Sequence, residues 1–163
     1  MKEIELTYGK ATQVDDDVYE ELKIYNWYAV EGQSTWYAAR WDSIACRPIY
    51  MHRQILSCKK KEIGDHKDGN GLNNQGDNLR KCSGTQNNAN QGSHKGSTSK
   101  YRGVRHVPQC SRRPWISSIQ CQGKWQVLGY FTTEFEAALA YNQKAIELFG
   151  EFARLNEIGG ITE

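Results

Sequence analysis

The sequence predicts an α+β protein with two modules. The first is a β-rich module that ends in a strand–loop–strand–helix unit, and the second is a three-stranded antiparallel sheet packed on one helix. Short runs rich in Tyr, Trp, Ile and Thr alternate with turn residues along the chain. Residues 88–100 contain no apolar residue larger than Ala, which is typical of a linker. After this linker, three β-prone runs precede one segment with helical spacing of its apolar residues.

The N-terminal module begins with two segments expected to be strands, residues 3–8 and 35–51, which are rich in aromatic and β-branched residues. Between them, residues 15–29 predict a short helix, since three consecutive Asp residues offer an N-cap. One face of this helix would carry three apolar residues: Val18, Leu22 and Tyr25. Residues 52–58 are expected to continue as a short helix or strand.

The stretch 64–79, GDHKDGNGLNNQGDNL, cannot build a core, because four of its residues are Gly, four are Asn and three are Asp. Asp65 and His66 end a predicted short strand, EIGDH. A loop with tight turns then runs to Asn78, where LRKC predicts a second strand. Capping-box spacing after this strand predicts a short helix whose first turn contains Asn87.

The C-terminal module predicts three strands joined by turns: residues 101–107, 115–121 and 125–131. Gln122-Gly123 is a two-residue hairpin turn between the last two strands. Thr133 and Glu136 form a capping box that starts a helix, and Gly150 ends it. The expected apolar face of this helix is Phe135, Ala138, Leu139, Ile146 and Phe149. The predicted boundaries are 1–87, a linker at 88–99, 100–156, and a tail at 157–163.

Composition excludes several classes of protein. Hydrophobic residues make up 38% and charged residues 25% of the chain, which is typical of a globular domain. No apolar run approaches the roughly 18 residues of a transmembrane helix, and the N-terminus lacks the apolar core of a signal peptide. We therefore expect an intracellular protein. The five Cys residues are odd in number and form no CxxC pair, which argues against a disulfide framework or a cysteine-based zinc site.

Charge is distributed unevenly along the chain. Residues 1–50 carry five Lys or Arg and nine Asp or Glu, whereas residues 51–130 carry fourteen and four. Residues 131–163 are again acidic, with two basic and six acidic residues. A basic middle between acidic ends indicates a surface that binds a polyanion, most plausibly nucleic acid.

The run DHKDGNGLNNQGDNLRKCSGTQNNANQ resembles the ββα-metal site of HNH endonucleases, in the variant whose last motif residue is Asn. Upstream, VDDDVYEELKIYNWYA and IYMHRQIL are similar to the N-terminal half of phage and intron-encoded members. The resemblance implies that His66 is the general base and that Asp65 and Asn87 are metal ligands. It also implies that Asn78 holds the loop and orients the imidazole.

These residue types suit phosphodiester hydrolysis. A near-neutral imidazole accepts a proton from water, and a hard divalent cation such as Mg²⁺ or Mn²⁺ prefers carboxylate and amide oxygens. With only two protein ligands, the cation is expected to bind weakly in the absence of DNA. Asp68 is expected to form a turn, with an accessory metal ligand as the alternative. His52 is expected to make a structural hydrogen bond rather than to act in catalysis.

Downstream, YRGVR, LGYFTTEFEAALAY and FGEFARLN resemble AP2 DNA-binding domains, whose sheet lies in the major groove. The resemblance implies that Arg102 and Arg105 meet phosphates or guanine edges. On the second strand Ser118 and Gln120 would face DNA, while Ile119 would face the helix. Plant members of this family usually carry Glu and Arg at the first two of these positions, so the resemblance does not imply their GCC-like target sequence for this chain.

The remaining expected DNA contacts flank this sheet. Trp125 and Val127 replace the Arg and Trp usual on the third strand, and Trp125 is included in the expected DNA face. Arg112 and Arg113, in the loop before the second strand, would reach the DNA backbone. In the linker, Lys95 and Lys100 would touch phosphates, and a plain tether is the equal alternative. Trp115 is expected in the core.

These resemblances predict a metal-dependent DNA endonuclease, of the site-specific homing type or a nickase, that acts on double-stranded DNA. The expected chain is a monomer or weak dimer that contacts no membrane and works in the cytoplasm of a bacterial host, encoded by a phage. A non-catalytic DNA-binding regulator that retains an HNH fold is the alternative. An RNA-binding protein that uses the same basic surface is a weaker third hypothesis.

Overall fold

A computed structural model describes residues 1–90, 96–110 and 112–159. The described residues form a mixed α+β protein with four small antiparallel sheets and four α-helices. Its contacts divide it into two compact units, Met1–Gly84 and Thr85–Glu163. No helix in the described part of the chain combines the length and apolar character that crossing a membrane requires.

The first unit contains two sheets before its loop region. Strands β1 (Lys2–Glu5) and β2 (Ala11–Val14) form a hairpin that leads into helix α1 (Asp16–Leu22). A three-stranded antiparallel sheet follows, formed by β3 (Tyr28–Glu31), β4 (Trp36–Asp42) and β5 (Arg47–Tyr50). The core between these elements consists of Ile4, Val14, Leu22, Trp27, Ala38 and Met51.

The predicted helix at 15–29 is shorter than expected. Helix α1 ends at Leu22, and the indole nitrogen of Trp27 donates a hydrogen bond to the Leu22 carbonyl oxygen at 2.8 Å. This bond satisfies a carbonyl at the C-terminus of the helix and turns the chain into β3. Trp27 is therefore a core residue that closes the helix, rather than part of it.

The predicted strand–loop–strand–helix is present. Helix α2 (Met51–Ile55) precedes β6 (Ile63–His66), which pairs with β7 (Leu79–Cys82) in an antiparallel register. Helix α3 (Gly84–Ala89) follows directly. The register sets Asp65 opposite Arg80 and His66 opposite Leu79, so the hairpin brings both residues of the Asp-His pair to a fixed position.

The second unit is a three-stranded antiparallel sheet of order β10–β9–β8, with one long helix: β8 (Val104–His106), β9 (Trp115–Cys121), β10 (Lys124–Phe131) and α4 (Glu134–Phe149). The predicted hairpin turn is confirmed, since Gln122 and Gly123 both have positive φ. The capping box is also confirmed: the Thr133 hydroxyl accepts a hydrogen bond from the Glu136 amide, and the Glu136 carboxylate accepts one from the Thr133 amide.

The expected apolar face of α4 is partly wrong. Leu139 and Ile146 are 40% and 54% exposed, although both belong to the predicted face. Of the predicted face, Ala138 is buried, and the other buried residues of α4 lie on a neighbouring stripe: Ala137, Tyr141 and Ala145. Alanines let the helix axis approach the sheet closely, which leaves the larger aliphatic side chains beside the contact.

Gly103 shows how close this approach is. Its φ of +73° lies in the region that side chains rarely adopt, and a Cβ at this position would overlap the Tyr141 ring and the Ser118 carbonyl. Glycine in the YRGVR run is therefore required by the packing of α4 on the sheet.

The end of the predicted linker is part of the second unit. Ser99 is buried, and its hydroxyl donates to the Glu134 carboxylate at 2.6 Å. The Thr98 hydroxyl accepts a hydrogen bond from the His106 amide at 2.9 Å. The tether interpretation of 88–99 is thus wrong for these two residues, because their side chains anchor the segment to β8 and α4.

Candidate active site

Asp65 and His66 lie side by side at the end of β6, and both are buried. The Asp65 carboxylate forms an ion pair with Arg80: Nε and Nη2 of the guanidinium each lie 2.9 Å from Oδ2. Both partners are largely shielded from solvent, with 7% and 11% of their side chains exposed. A buried carboxylate requires such a partner, because an unpaired charge would be strongly destabilising.

His66 is held by a series of hydrogen-bonded side chains from distant parts of the sequence. Its Nε2 lies 3.1 Å from Oδ1 of Asn74, which is almost fully buried. The Asn74 amide nitrogen donates to the Thr12 hydroxyl oxygen at 2.7 Å, and that hydroxyl donates to the Leu72 carbonyl at 2.8 Å. Each hydrogen bond in the series from His66 to Leu72 has a defined direction, because the Leu72 carbonyl can only accept.

This direction fixes the histidine tautomer. Since the Asn74 amide nitrogen points to Thr12, its carbonyl oxygen faces the ring, so the His66 Nε2 must carry a hydrogen. In the neutral ring the other nitrogen, Nδ1, then carries the basic lone pair. Thr12 and Asn74 were not predicted as site residues, and no sequence signal links two residues 62 positions apart.

Asn78 holds the loop, but it does not contact the imidazole. Its carbonyl oxygen accepts from the Asp68 amide at 3.1 Å, and its amide nitrogen donates to the Asp68 carboxylate at 3.0 Å and the Asn73 carbonyl at 2.8 Å. All three of these hydrogen bonds join the Asn78 side chain to residues of the loop. The expectation that Asn78 orients the imidazole is therefore corrected, since Asn74 makes that contact.

Asp68 is the centre of the same loop. Its carboxylate also accepts hydrogen bonds from the Asn70 amide and the Asn73 side chain. Burial alone would raise the pKa of Asp68, but the hydrogen bonds from Asn70, Asn73 and Asn78 outweigh it and hold that pKa below its ordinary value. These bonds describe a turn-forming residue, and its role as an accessory metal ligand stays a prediction.

His52 lies in a cluster of rings behind His66. The two imidazole centroids are 4.9 Å apart in an edge-to-face arrangement, and the ring centroids of Tyr37 and Tyr50 each lie 5.8 Å from that of His52. Burial, with smaller contributions from His66 and Arg53, lowers the pKa of His52 to about 3. His52 is therefore neutral at physiological pH, which agrees with a structural role.

Burial also lowers the pKa of His66 below its ordinary value of 6.5, although the Asn74 hydrogen bond and the nearby Asp68 and Asp65 carboxylates oppose the shift. The neutral form of the ring is thus favoured at neutral pH. A buried, neutral imidazole with one defined tautomer can accept a proton at Nδ1.

The two predicted metal ligands belong to different units. Asp65 lies in Met1–Gly84, whereas Asn87 lies half-buried on the part of α3 that belongs to Thr85–Glu163. Within the described ranges no three His, Cys, Asp or Glu residues cluster as metal ligands. The predicted ligand pair has only one carboxylate and one amide, so the absence of such a three-residue cluster from the described ranges does not test it. The metal site of Asp65 and Asn87 therefore stays a prediction.

The face of the second sheet opposite α4 carries three of the predicted DNA-facing residues. Ser118 and Gln120 pair in register with Val127 and Trp125 on β10. Ile119, between them, packs on Tyr141 and Ala145 of α4, as expected. Trp125 and Val127 are 67% and 55% exposed, so this face presents apolar surface to solvent.

Arg102 has a structural partner that the sequence does not reveal. Its guanidinium donates to the carbonyl oxygens of Asn88 and Ala89 at 2.6 Å each, at the C-terminus of α3. Burial lowers the pKa of Arg102, which agrees with its half-buried position. A DNA contact would have to compete with these bonds, so the structure favours a helix-capping role over the expected DNA contact.

The other predicted cations are exposed: Lys100, Arg105, Arg112 and Arg113. Arg105 lies on β8 opposite Ile116 of β9. Lys95 lies outside the described residues. Trp115 packs against the cluster of Val104, Ala137 and Ala138, which confirms the expected core position.

Comparison with curated proteins finds a distant relative described as "Uncharacterized HNH endonuclease L560" from Acanthamoeba polyphaga mimivirus. It is 39% identical over 94 residues, which are 58% of this chain and 46% of the relative. The chain thus spans less than half the length of that relative. No family model matches the sequence, and no solved structure matches the chain. The partial similarity supports a relationship to HNH endonucleases and suggests nuclease activity.

Proposed function

We propose that this chain is a metal-dependent DNA endonuclease of the HNH type that hydrolyses phosphodiester bonds. The observation that carries the proposal is the buried His66 imidazole, held by Asn74 at Nε2 and placed next to Asp65 on the same strand. Support also comes from the partial similarity to a protein named as an HNH endonuclease.

His66 acts as the general base in this proposal. Nδ1 of the neutral ring takes a proton from the attacking water, and the positive charge that develops is shared with the Asn74 carbonyl through Nε2–H. Asn78 and Asp68 keep the loop between the strands in place, and so keep Asn74 against the ring. The edge contact with neutral His52 excludes water from one side of the imidazole.

The donor chemistry of Asp65 and Asn87 suits a hard divalent cation, because both supply oxygen. A cation held by Asp65 would lie beside the Arg80 guanidinium, which already pairs with the same carboxylate, so the two positive charges would share it. When bound, Mg²⁺ or Mn²⁺ would stabilise the developing charge on the phosphate and the leaving oxygen. Asp65 and Asn87 would hold it, with DNA oxygens and water as the remaining ligands.

The C-terminal unit is proposed as an AP2-like DNA-binding domain. Its exposed sheet face combines Gln120 and Ser118, which can hydrogen-bond base edges, with Trp125, which can pack on the groove. Arg105, Arg112 and Arg113 are exposed cations suited to phosphates. Base readout by this face would make the enzyme site-specific, as in homing endonucleases.

The direct test is nicking of a supercoiled plasmid with Mg²⁺ or Mn²⁺, with and without EDTA. Wild-type protein is expected to nick, and His66→Ala is expected to lose about 10²–10⁴-fold in rate while binding DNA nearly normally. His106→Ala is the matched control, because His106 is exposed and lies on β8 of the second unit. A His66→Ala rate within threefold of wild type contradicts the assignment.

A non-catalytic DNA-binding regulator is the second candidate. It is favoured by the Asp65–Arg80 ion pair, because a carboxylate that serves only to hold Arg80 needs no metal. In that case DNA binding would be retained, while nicking would be absent with every divalent cation tested.

A further inference from the structure

The first unit contains an open cleft of about 860 Å³ between β4, β5 and α2. Its lining includes four cations, Arg40, Arg47, Arg53 and Lys60. Its other polar side chains include Gln54 and Ser57, and among the residues that the structure describes no Asp or Glu lines it. All of these residues belong to Met1–Gly84, so the cleft is complete within one unit.

Two of the cations are fixed by neutral partners. The Arg40 Nε donates to the Gln54 side-chain oxygen at 2.9 Å, and its guanidinium lies 4.2 Å from the Tyr25 ring centroid. The Arg53 guanidinium donates to the carbonyl oxygens of Lys59 and Glu62. Carbonyl, amide and aromatic partners orient a guanidinium without cancelling its charge.

The lining of the cleft carries a net positive charge, although Asp42 stands opposite Arg47 in the β4–β5 register. Among the residues that the structure describes, none of the four cations forms an ion pair with a carboxylate. Arg47 and Lys60 are exposed, and Lys59 and Lys61 adjoin Lys60 in the sequence. A concave surface with fixed and mobile cations and no acidic lining attracts a polyanion.

We propose that this cleft binds the phosphate backbone of duplex DNA. The first unit would then contact DNA itself, in addition to the DNA contacts predicted for the C-terminal unit. This inference rests on the proposed endonuclease function. Arg53 and Gln54 line the cleft from α2, and their neighbour His52 on the same helix packs against the His66 ring. A DNA strand held in the cleft is thereby positioned relative to β6, the β-strand that carries His66.

The test uses the full chain and a 40-base-pair duplex of random sequence, with binding measured at several salt concentrations. Arg47→Ala/Lys60→Ala removes the two exposed cations and leaves Arg40 and Arg53 in place. Each lost phosphate contact is expected to lessen the salt slope by about 0.9, which gives roughly 1.8 for the double variant. Nicking should show a raised KM and an unchanged kcat.

Lys2→Ala/Lys23→Ala is the matched control, because it removes two exposed cations of the same unit that do not line the cleft. An unchanged slope in the cleft variant, or an equal loss in the control, overturns the proposal. A loss confined to poly-glutamate or single-stranded RNA, with duplex binding intact, overturns DNA as the partner. If wild type nicks with neither Mg²⁺ nor Mn²⁺, the endonuclease function fails, while the salt slopes still decide the role of the cleft.

Discussion

Oδ1 of Asn74 lies 3.1 Å from Nε2 of His66, and both residues are buried. The bond joins the loop to the strand that carries the candidate base, and Thr12 fixes its direction from the other side. Asn74 is therefore the residue through which the first β-hairpin of the chain determines the tautomer of His66. Changing Asn74 tests this relationship without removing the base.

Asn74→Asp is expected to move the acidic limb of the pH–rate profile to higher pH. A base must be unprotonated, so the rate rises as pH passes upward through the pKa of His66. In wild type burial lowers that pKa, so the limb lies below pH 6.5. A carboxylate beside Nε2–H stabilises the imidazolium and so raises the pKa of His66. Nicking rates between pH 4.5 and 8.5 measure the shift.

Asn74→Ala separates positioning from protonation. Its plateau rate should fall at least about tenfold, because the ring loses its fixed orientation, but by no more than the 10²–10⁴-fold that a general base supplies. Its acidic limb should not move upward, because the bond that raises the pKa is gone. Asn26→Asp adds the same charge at an exposed position and is the control. Identical pH profiles for Asn74→Asp and wild type would contradict the assignment.

Removal of a metal ligand should change the metal requirement. Asn87→Ala is expected to raise the Mn²⁺ concentration needed for half-maximal nicking, since it removes one of few oxygen ligands. Asp65→Asn should do the same, but it also leaves Arg80 buried without its carboxylate, which costs about 3–5 kcal/mol in stability. Thermal unfolding must therefore be measured beside activity for that variant.

Asp68→Asn distinguishes the loop from the metal site. Asp68 has loop hydrogen bonds that an amide keeps only in part, so a lower stability with an unchanged Mn²⁺ requirement is expected. A raised Mn²⁺ requirement in this variant would instead support the accessory-ligand alternative. Nicking by wild type that EDTA leaves unaffected would contradict the metal model altogether.

His52 should make the stability of the chain depend on pH. Its pKa is about 3 when folded and about 6.5 when unfolded, so protons favour the unfolded chain below pH 6.5. The stabilisation is present at neutral pH and is lost as pH falls from 6.5 towards 3, by about 2 kcal/mol at pH 5. Urea unfolding at pH 7 and pH 5 should show this difference in wild type.

His52→Phe should lessen that pH dependence, because a phenyl ring fills the same place among Tyr37, Tyr50 and His66 without titrating. His106→Phe, at an exposed position, is the control and should leave the pH dependence unchanged. Equal pH dependence in wild type and His52→Phe would show that another group is responsible.

Local signals in the sequence predicted the elements that position the site. The capping box at Thr133 and Glu136 and the strands on both sides of the Asn-rich loop depend on neighbouring residues, and both are present. Helical periodicity was less informative for α4, because the helix has two apolar stripes and only packing decides that the alanine stripe faces the sheet.

The contacts that complete the site are not local. Asn74 stands in a run of Asn residues any of which could reach the imidazole, and its partner Thr12 is distant in the sequence. The capping of α3 by Arg102 could likewise not be predicted, because Arg102 stands among basic residues that indicate DNA binding. Such pairings follow from the tertiary fold, which brings β2 against the loop through the Gln13–Asn73 bridge.

The second sheet is expected to read the DNA sequence through two facing side chains. Trp125 and Gln120 are directly opposite each other on β10 and β9, on the face away from α4. Trp125→Ala/Gln120→Ala should remove base contacts worth about 1–3 kcal/mol each without disturbing the packing on α4. The control is Leu139→Ala/Ile146→Ala, which removes exposed apolar surface from the helix instead.

Preferred sites are first selected from a random duplex library with wild-type protein. The ratio of affinities for the selected and a scrambled duplex should then fall at least tenfold in Trp125→Ala/Gln120→Ala, because each 1.4 kcal/mol corresponds to a factor of ten. The salt slope should stay unchanged, since no cation is removed. The helix variant should keep the wild-type ratio. Selection of the same sites with the same ratio by the sheet variant would show that this face does not read the DNA.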